Sequence, residues 1–200
     1  HDWFFDEGRK FASDLADPAN AALYGPAHSR MPGPNSATLL DAAHNVSPSW
    51  LDDWLARQTE LVDRYQPELI YFDWWIGQPS FRNTLPSFLA YYYNHAARTG
   101  GSAVVNYKLG EFADGAGTLD IERGQAPGIR PDTWQTCTSI SDKSWGYIEN
   151  DTYKSVEQIV HLLADIVSKN GNLLLNVGPH ADGRIPEAAR DTLLAVGGWL

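Results

Sequence analysis

Residues 155–177 read SVEQIVHLLADIVSKNGNLLLNV, which is typical of a helix followed by a buried strand. Ser155 and Gln158 form a capping-box pattern, which predicts that a helix starts here. Apolar residues recur along that helix at the 3.6-residue period and predict one buried face: Val156, Ile159, Val160, Leu163, Ile166 and Val167. Gly171 is predicted to close the helix. The apolar run over 173–177 is typical of a strand buried in a parallel sheet.

The same alternation of strands and helices extends through the rest of the chain. Three further strands are predicted, over residues 68–72, 103–106 and 134–140. Three further helices are predicted: one capped by Ser49 and stopped by Pro67, one over about 87–98 before the Gly100-Gly101 turn, and one with Pro186 in its first turn. Irregular segments are predicted over 17–49 and 108–131. Repeated β/α units of this kind predict an α/β fold with parallel strands and crossover helices.

The composition excludes several classes of protein. Of the 200 residues, 43% are hydrophobic and 20% are charged, which is typical of a globular protein. Asp and Glu (25) outnumber Lys and Arg (15), so we expect no nucleic-acid partner and no binding to an anionic membrane surface. Cys137 is the only cysteine, which excludes an internal disulfide framework. No stretch approaches the ~20 apolar residues of a spanning helix.

The length predicts a single domain or part of a larger one. The chain begins at His1 without an initiator Met and ends at Leu200 inside a predicted helix. Both ends are therefore expected to belong to a longer protein. No targeting signal indicates a compartment.

Polar side chains follow three of the predicted strands, namely Asp73, Asn106 and Asn176. In an α/β barrel, the carboxyl ends of the strands carry the active site. Asp73 lies among aromatic residues in the stretch YFDWW, where it is either a helix cap or ion-pair partner, or a nucleophile or base. The 8 Trp, 9 Tyr and 7 Phe of the chain suit either an apolar core or a site that stacks on sugar rings.

Cleavage of a glycoside requires a second carboxyl group across the scissile bond. Four acidic residues in the following segment are candidates, and residue chemistry alone leaves all of them open: Glu111, Asp114, Asp120 and Glu122. We expect no metal and no cofactor, because the histidines show no paired spacing: His1, His28, His44, His95, His161 and His180. Cys137 has no histidine placed beside it by a known motif.

Three segments resemble the α-L-fucosidases of glycoside hydrolase family 29. Residues 68–73 (ELIYFD) resemble the family's strand that ends in the nucleophilic aspartate. Residues 134–147, with WQTCTSI and SWGY, resemble the segment that follows the acid/base loop. Residues 167–183, with VSKNGNLLLNVGP and ADG, match a family signature almost residue for residue.

This resemblance implies roles for particular residues. It implies that Asp73 is the catalytic nucleophile and that Glu122 is the acid/base. It also implies sugar contacts by Tyr71, by Trp145, and by Lys108, which stands where many members have an arginine. A lysine can donate to a hydroxyl but lacks the planar pair of donors of arginine. Asn172 and Asn176 are expected to hold strand ends and loops rather than substrate.

The resemblance also implies a fold and an activity. The fold is the C-terminal half of a (β/α)8-like, TIM-type barrel, in which residues 1–200 form a partial catalytic domain without the N-terminal strands and any C-terminal β-sandwich. The activity is hydrolysis of terminal α-L-fucosyl residues with retention, for which the two carboxyl groups lie ~5–5.5 Å apart. It requires Asp73 to be ionised and Glu122 to be protonated until it acts.

Two alternatives stay open at this point. One is a non-catalytic relative that binds fucose or a glycan, and the other is a retaining glycosidase for a different sugar. The expected partner is a fucosylated glycan. A secreted, periplasmic or lysosomal location fits the family, and the oligomeric state is not indicated.

Overall fold

A computed structural model of the chain describes residues 12, 14, 17–23, 48–108 and 110–200. The chain divides into two compact units: His1–Val104 with Gly110–Phe112, and Val105–Leu109 with Ala113–Leu200. The segment predicted to be irregular contains a short 3-10 helix, Pro18–Leu23. The rest of that segment, residues 24–47, lies outside the described residues.

The first unit contains helix α1 (Pro48–Tyr65), strand β1 (Leu69–Tyr71) and helix α2 (Thr84–Thr99). Both helices start earlier than predicted. A proline lies in each first turn, where the backbone N–H groups have no helical partner and a missing donor does no harm. The prediction of Ser49 as the N-cap of α1 is therefore wrong, because Pro48 already belongs to that helix. The predicted turn is confirmed: Gly100 caps α2 with a positive φ of 73°.

Aromatic rings form much of the core of the first unit. The Trp54 ring lies 5.8 Å from Phe72, 5.2 Å from Phe81 and 5.9 Å from Phe88, centroid to centroid. The Tyr92 hydroxyl donates to the Pro67 carbonyl at 2.7 Å and ties α2 to the start of the β1 segment. The prediction that β1 is buried on both faces is wrong for Leu69, which is 51% exposed. An apolar run indicates a strand, but it does not say how many layers pack over it.

The second unit is a parallel sheet whose strands are neighbours in chain order. Its strands are β2 (Val104–Tyr107), β3 (Thr118–Glu122), β4 (Trp134–Ser139) and β5 (Gly171–Asn176). Val104, the first residue of β2, belongs to the first unit. Each strand pairs in parallel with the next one, and all six residues of β4 are buried. In the first unit, the Val104 N–H at the start of β2 donates to the Glu68 carbonyl beside β1. The predicted α/β class is confirmed.

Strand β3 lies inside the segment that the sequence predicts to be irregular, so that prediction is wrong over residues 118–122. The side chain that β3 buries completely is a carboxylate, Asp120. A strand whose inward residue is charged shows no apolar pattern, and the surrounding glycines and acidic residues are typical of a loop.

Helix α3 (Val156–Ser168) packs against β5, and helix α4 (Glu187–Trp199) packs against α3. The capping box of α3 is confirmed, since the Gln158 N–H donates to the Ser155 Oγ and the Ser155 N–H donates to the Gln158 Oε1. The α3 and α4 helices share a buried cluster with β4: Ile140, Ile159, Ala189 and Val196. Pro186 precedes α4 as its N-cap rather than lying in its first turn.

Gly171 does not close α3, as the sequence predicts, but is the first residue of β5. The left-handed residue after the helix is Asn170, with a φ of 67°. Leu173 and Leu175 pack against buried clusters that include residues of α3, whereas Leu174 on the other face is 46% exposed. Successive side chains of a strand point to opposite faces, and the helices cover only one face of β5.

Candidate active site

Asp73 comes two residues after the end of β1, in the first unit, and is exposed. It caps a short 3-10 helix, Trp74–Gly77, and its Oδ1 accepts a 2.9 Å hydrogen bond from the Trp74 N–H. Asp73 is therefore a helix cap, and its assignment as the nucleophile stays a prediction beside that role. The same bond fixes one carboxylate oxygen while the side chain stays open to solvent. Tyr71, the last residue of β1, is half-buried.

Lys108 lies directly after β2, in the second unit, with only 7% of its side chain exposed. Its Nζ is 3.2 Å from the Asp120 Oδ1, 3.1 Å from the Glu122 Oε2 and 3.0 Å from the Cys137 Sγ. Lys108 after β2, two carboxylates of β3 and one thiol of β4 thus lie together.

Asp120 is the completely buried member of this group. Lys108 contacts its Oδ1, and the Gln135 Nε2 donates to its Oδ2 at 2.6 Å. Asp120 and Gln135 are opposite each other in the β3–β4 register. A buried carboxylate is costly unless it is paired and hydrogen-bonded, and here both oxygens face donors. Asp120 therefore fits a structural role better than the acid/base role that residue chemistry had left open for it.

Glu122 is the last residue of β3, and its side chain is 42% exposed. The next residue, Arg123, has a positive φ of 49°, and its N–H donates to the Cys137 carbonyl at 2.8 Å. This turn ends the strand and leaves the Glu122 carboxylate at the carboxyl end of the sheet. In that position Glu122 contacts Lys108 and also reaches solvent.

Trp145 lies in the loop after β4 and is 38% exposed, so it is not a core residue. The Arg123 guanidinium carbon lies 4.2 Å from the centroid of the Trp145 ring, which is a cation–π contact. The Asn176 Nδ2 donates to the Trp145 carbonyl at 2.7 Å and lies 3.2 Å from the Ser139 Oγ. The prediction that Asn176 holds a loop is thereby confirmed, whereas the Asn172 side chain is exposed.

The structure thus brings Lys108 and Glu122 together and links Trp145 to the same strand end through Arg123. Sequence reasoning missed the partners Gln135, Cys137 and Arg123. The register of β3 against β4 pairs Asp120 with Gln135 and Glu122 with Cys137. Both pairs could have been predicted only if residues 118–122 had been recognised as a strand.

Within the described residues, no group of three His, Cys, Asp or Glu side chains is arranged to hold a metal ion. His1, His28 and His44 lie outside those residues. No helix in the described part of the chain has the length and apolar character to span a bilayer.

Comparisons with known proteins bear on this site. The sequence model of the α-L-fucosidase family matches residues 9–200. Plasma α-L-fucosidase of Rattus norvegicus is 35% identical over 147 residues, which cover 70% of this chain and 32% of that protein.

Solved structures give the same result. An α-L-fucosidase structure aligns with 77% of this chain and 34% of its own, at a TM-score of 0.64 and 33% identity. The Thermotoga maritima α-fucosidase in complex with fucose aligns with 77% of this chain and 33% of its own, at a TM-score of 0.61 and 33% identity. The chain therefore spans about a third of the length of these relatives. The predicted fold, the C-terminal half of a (β/α)8-like barrel, is confirmed.

Proposed function

Because the chain belongs to the α-L-fucosidase family, we propose that this protein is a retaining exo-glycosidase that hydrolyses terminal α-L-fucosyl residues of glycans or glycoconjugates. The observation that carries the proposal, beside the family match, is the Glu122 carboxylate at the end of β3. It is held 3.1 Å from the Lys108 ammonium and reaches solvent, where a substrate oxygen could meet it.

The reaction proceeds in two steps on this proposal. Asp73 attacks the anomeric carbon of the fucoside, and the bond to the aglycone oxygen breaks as Glu122 gives that oxygen its proton. A fucosyl ester of Asp73 results. Glu122 then takes a proton from water, which attacks the anomeric carbon and releases α-L-fucose and the Asp73 carboxylate.

Further residues bind the sugar in this proposal. Tyr71 and Trp145 supply aromatic surface for the apolar parts of fucose, which the partial exposure of both side chains supports. Lys108 donates to a sugar hydroxyl beside Glu122 in this proposal. Because an ammonium has three donors and Lys108 already contacts Asp120, Glu122 and Cys137, the hydroxyl would take the place of one of these contacts.

Residues 1–200 form a partial catalytic barrel domain in this proposal, and the fucosylated glycan is the partner. The chain covers only 32% and 34% of the lengths of two matched relatives, which supports the proposal of a partial domain. N-terminal strands of the barrel would complete the sugar site, and a β-sandwich would follow.

A second candidate is a relative that binds fucose without turnover. It is favoured by the 3.1 Å contact that already holds the Glu122 carboxylate against the Lys108 ammonium. A panel of 4-nitrophenyl glycosides, assayed with the full-length protein, separates the candidates. We expect turnover of the α-L-fucoside, with α-L-fucose as the first anomer seen by NMR. Binding of L-fucose without turnover would favour the second candidate, and turnover of another glycoside alone would indicate a different sugar.

A further inference from the structure

The cluster around Lys108 contains two carboxylates with different surroundings. Asp120 is completely buried, whereas the side chain of Glu122 is 42% exposed. The Lys108 ammonium lies between them, at 3.2 Å from one and 3.1 Å from the other. One cation is therefore shared by two carboxylates, of which only Glu122 can reach a substrate.

The buried member of the cluster is fixed in place. The Asp120 Oδ2 accepts from the Gln135 Nε2 at 2.6 Å, and its Oδ1 faces the ammonium. Because an ionised carboxylate only accepts hydrogen bonds, donors at both oxygens fit Asp120 as an anion. The pair of Lys108 and Asp120 then carries no net charge.

The pairing of Lys108 with Asp120 affects whether Glu122 carries a proton. A lone ammonium beside a carboxylate favours the charged form of that carboxylate, whereas a second negative charge in the same place opposes it. With Lys108 and Asp120 both charged, the three groups sum to −1 when Glu122 is ionised and to zero when it is protonated. Asp120 thus offsets the effect of Lys108 on Glu122.

Arg123 and Cys137 also lie near Glu122 in the described part of the second unit. Arg123 follows it directly, but its guanidinium lies over the Trp145 ring. Cys137, on the neighbouring strand, is opposite Glu122 in the register and contacts Lys108. The described contacts thus place the Lys108 charge directly at the Glu122 carboxylate and the Asp120 charge on the same ammonium.

We propose that Asp120 is a positioning residue for general acid catalysis: by sharing the Lys108 ammonium, it allows Glu122 to carry the proton that departs with the aglycone. This inference rests on the proposed function.

The test replaces one charge at a time in the full-length protein. In Asp120→Asn the carboxamide keeps the size of the side chain but leaves the ammonium to Glu122 alone. We expect kcat/KM for a fucosyl disaccharide to fall by about 10-fold or more, and kcat/KM for 4-nitrophenyl α-L-fucoside to change by less than about 3-fold. The nitrophenolate needs little protonation to leave. The alkaline limb of the pH profile should move to lower pH.

Lys108→Gln should move the same limb to higher pH, because only negative neighbours then remain beside Glu122. Lys108→Arg keeps the charge and should restore the limb to its position in the natural protein. A merely structural role of Asp120 would not move the alkaline limb in opposite directions in Asp120→Asn and Lys108→Gln. If the melting temperature shows that Asp120→Asn does not fold, the two Lys108 variants still test the inference.

Asp142→Asn is the matched control, since Asp142 lies 3.5 Å from Lys154 in another lysine–carboxylate pair of the same unit. It should leave the alkaline limb in place. Equal losses on both substrates, or an unmoved limb in Asp120→Asn and Lys108→Gln, would overturn the inference while the fucosidase activity stands. If the protein without any substitution does not hydrolyse fucosides, the proposed function is overturned, and the inference falls with it.

Discussion

The side-chain amide of Asn176 donates a 2.7 Å hydrogen bond to the backbone carbonyl of Trp145. Asn176 ends β5, and Trp145 lies in the loop after β4, so the bond joins the carboxyl ends of two parallel strands. The Arg123 guanidinium stacks on the same Trp145 ring from the end of β3. One asparagine thereby sets the position of an aromatic side chain that we propose to contact fucose.

Asn176→Ala removes this bond and should loosen the loop that carries Trp145. We expect KM for 4-nitrophenyl α-L-fucoside to rise by about 3- to 10-fold with a smaller change in kcat, and the free energy of unfolding to fall by about 1 kcal/mol. Steady-state kinetics and urea unfolding measure the two effects. The control is Asn172→Ala on the same strand, whose side chain is exposed. An unchanged KM in Asn176→Ala would show that the bond does not position the sugar contact.

Gly171→Ala should destabilise the second unit. A Cβ at Gly171 would lie 2.5 Å from an indole carbon of Trp134, which is completely buried, and 2.9 Å from the Ile166 Cγ2. Because neither neighbour can move away, we expect a loss of about 1–3 kcal/mol in the free energy of unfolding.

The control is Gly197→Ala in α4, where a Cβ meets nothing within 4 Å and alanine is the better helix former. That variant should be as stable as the natural protein or slightly more stable. Equal stability of Gly171→Ala in urea unfolding would contradict the close packing of Gly171 on Trp134.

Glu122→Ala should remove the acid/base. We expect kcat/KM for a fucosyl disaccharide to fall by about 10²- to 10⁴-fold, and the loss on 4-nitrophenyl α-L-fucoside to be much smaller. Added azide should replace water in the second step and give α-L-fucosyl azide, with the configuration retained.

Glu111→Ala and Asp114→Ala are the comparison variants, because the sequence offers these two acids for the same role. Asp114 is exposed. Both variants should retain activity on the disaccharide. One of these variants, rather than Glu122→Ala, could lose much more activity on the disaccharide than on 4-nitrophenyl α-L-fucoside. That result would show that the acid/base is not Glu122.

Local signals in the sequence predicted most of the fold. The Ser155 capping box located the start of α3, because its two hydrogen bonds lie within four residues of chain. The sequence does not predict strand β3, because the side chain that this strand buries is Asp120, whose burial depends on Lys108 and Gln135. Sequence patterns report which residues are apolar, and they do not report which charges will be paired.

The candidate site followed from the sequence only in part. The resemblance to known fucosidases predicts five site residues: Asp73, Lys108, Glu122, Tyr71 and Trp145. The network behind them was not predicted, because it depends on the register that places Gln135 beside Asp120. Register is set by the packing of whole strands, and no short motif encodes it.

Asp73→Gly, assayed with and without azide, shows whether Asp73 is the nucleophile. Asp151→Gly is a close control, since the Asp151 Oδ1 accepts a 2.8 Å bond from the Thr152 N–H, just as the Asp73 Oδ1 accepts one from Trp74.

The full-length protein and Asp151→Gly should both hydrolyse 4-nitrophenyl α-L-fucoside. Asp73→Gly should lose on the order of 10³-fold or more of that activity. With azide it should form β-L-fucosyl azide, because azide enters from the face that the carboxylate has vacated. Full activity in Asp73→Gly would show that Asp73 is not the nucleophile. An equal loss in Asp151→Gly, without any fucosyl azide from Asp73→Gly, would show the same.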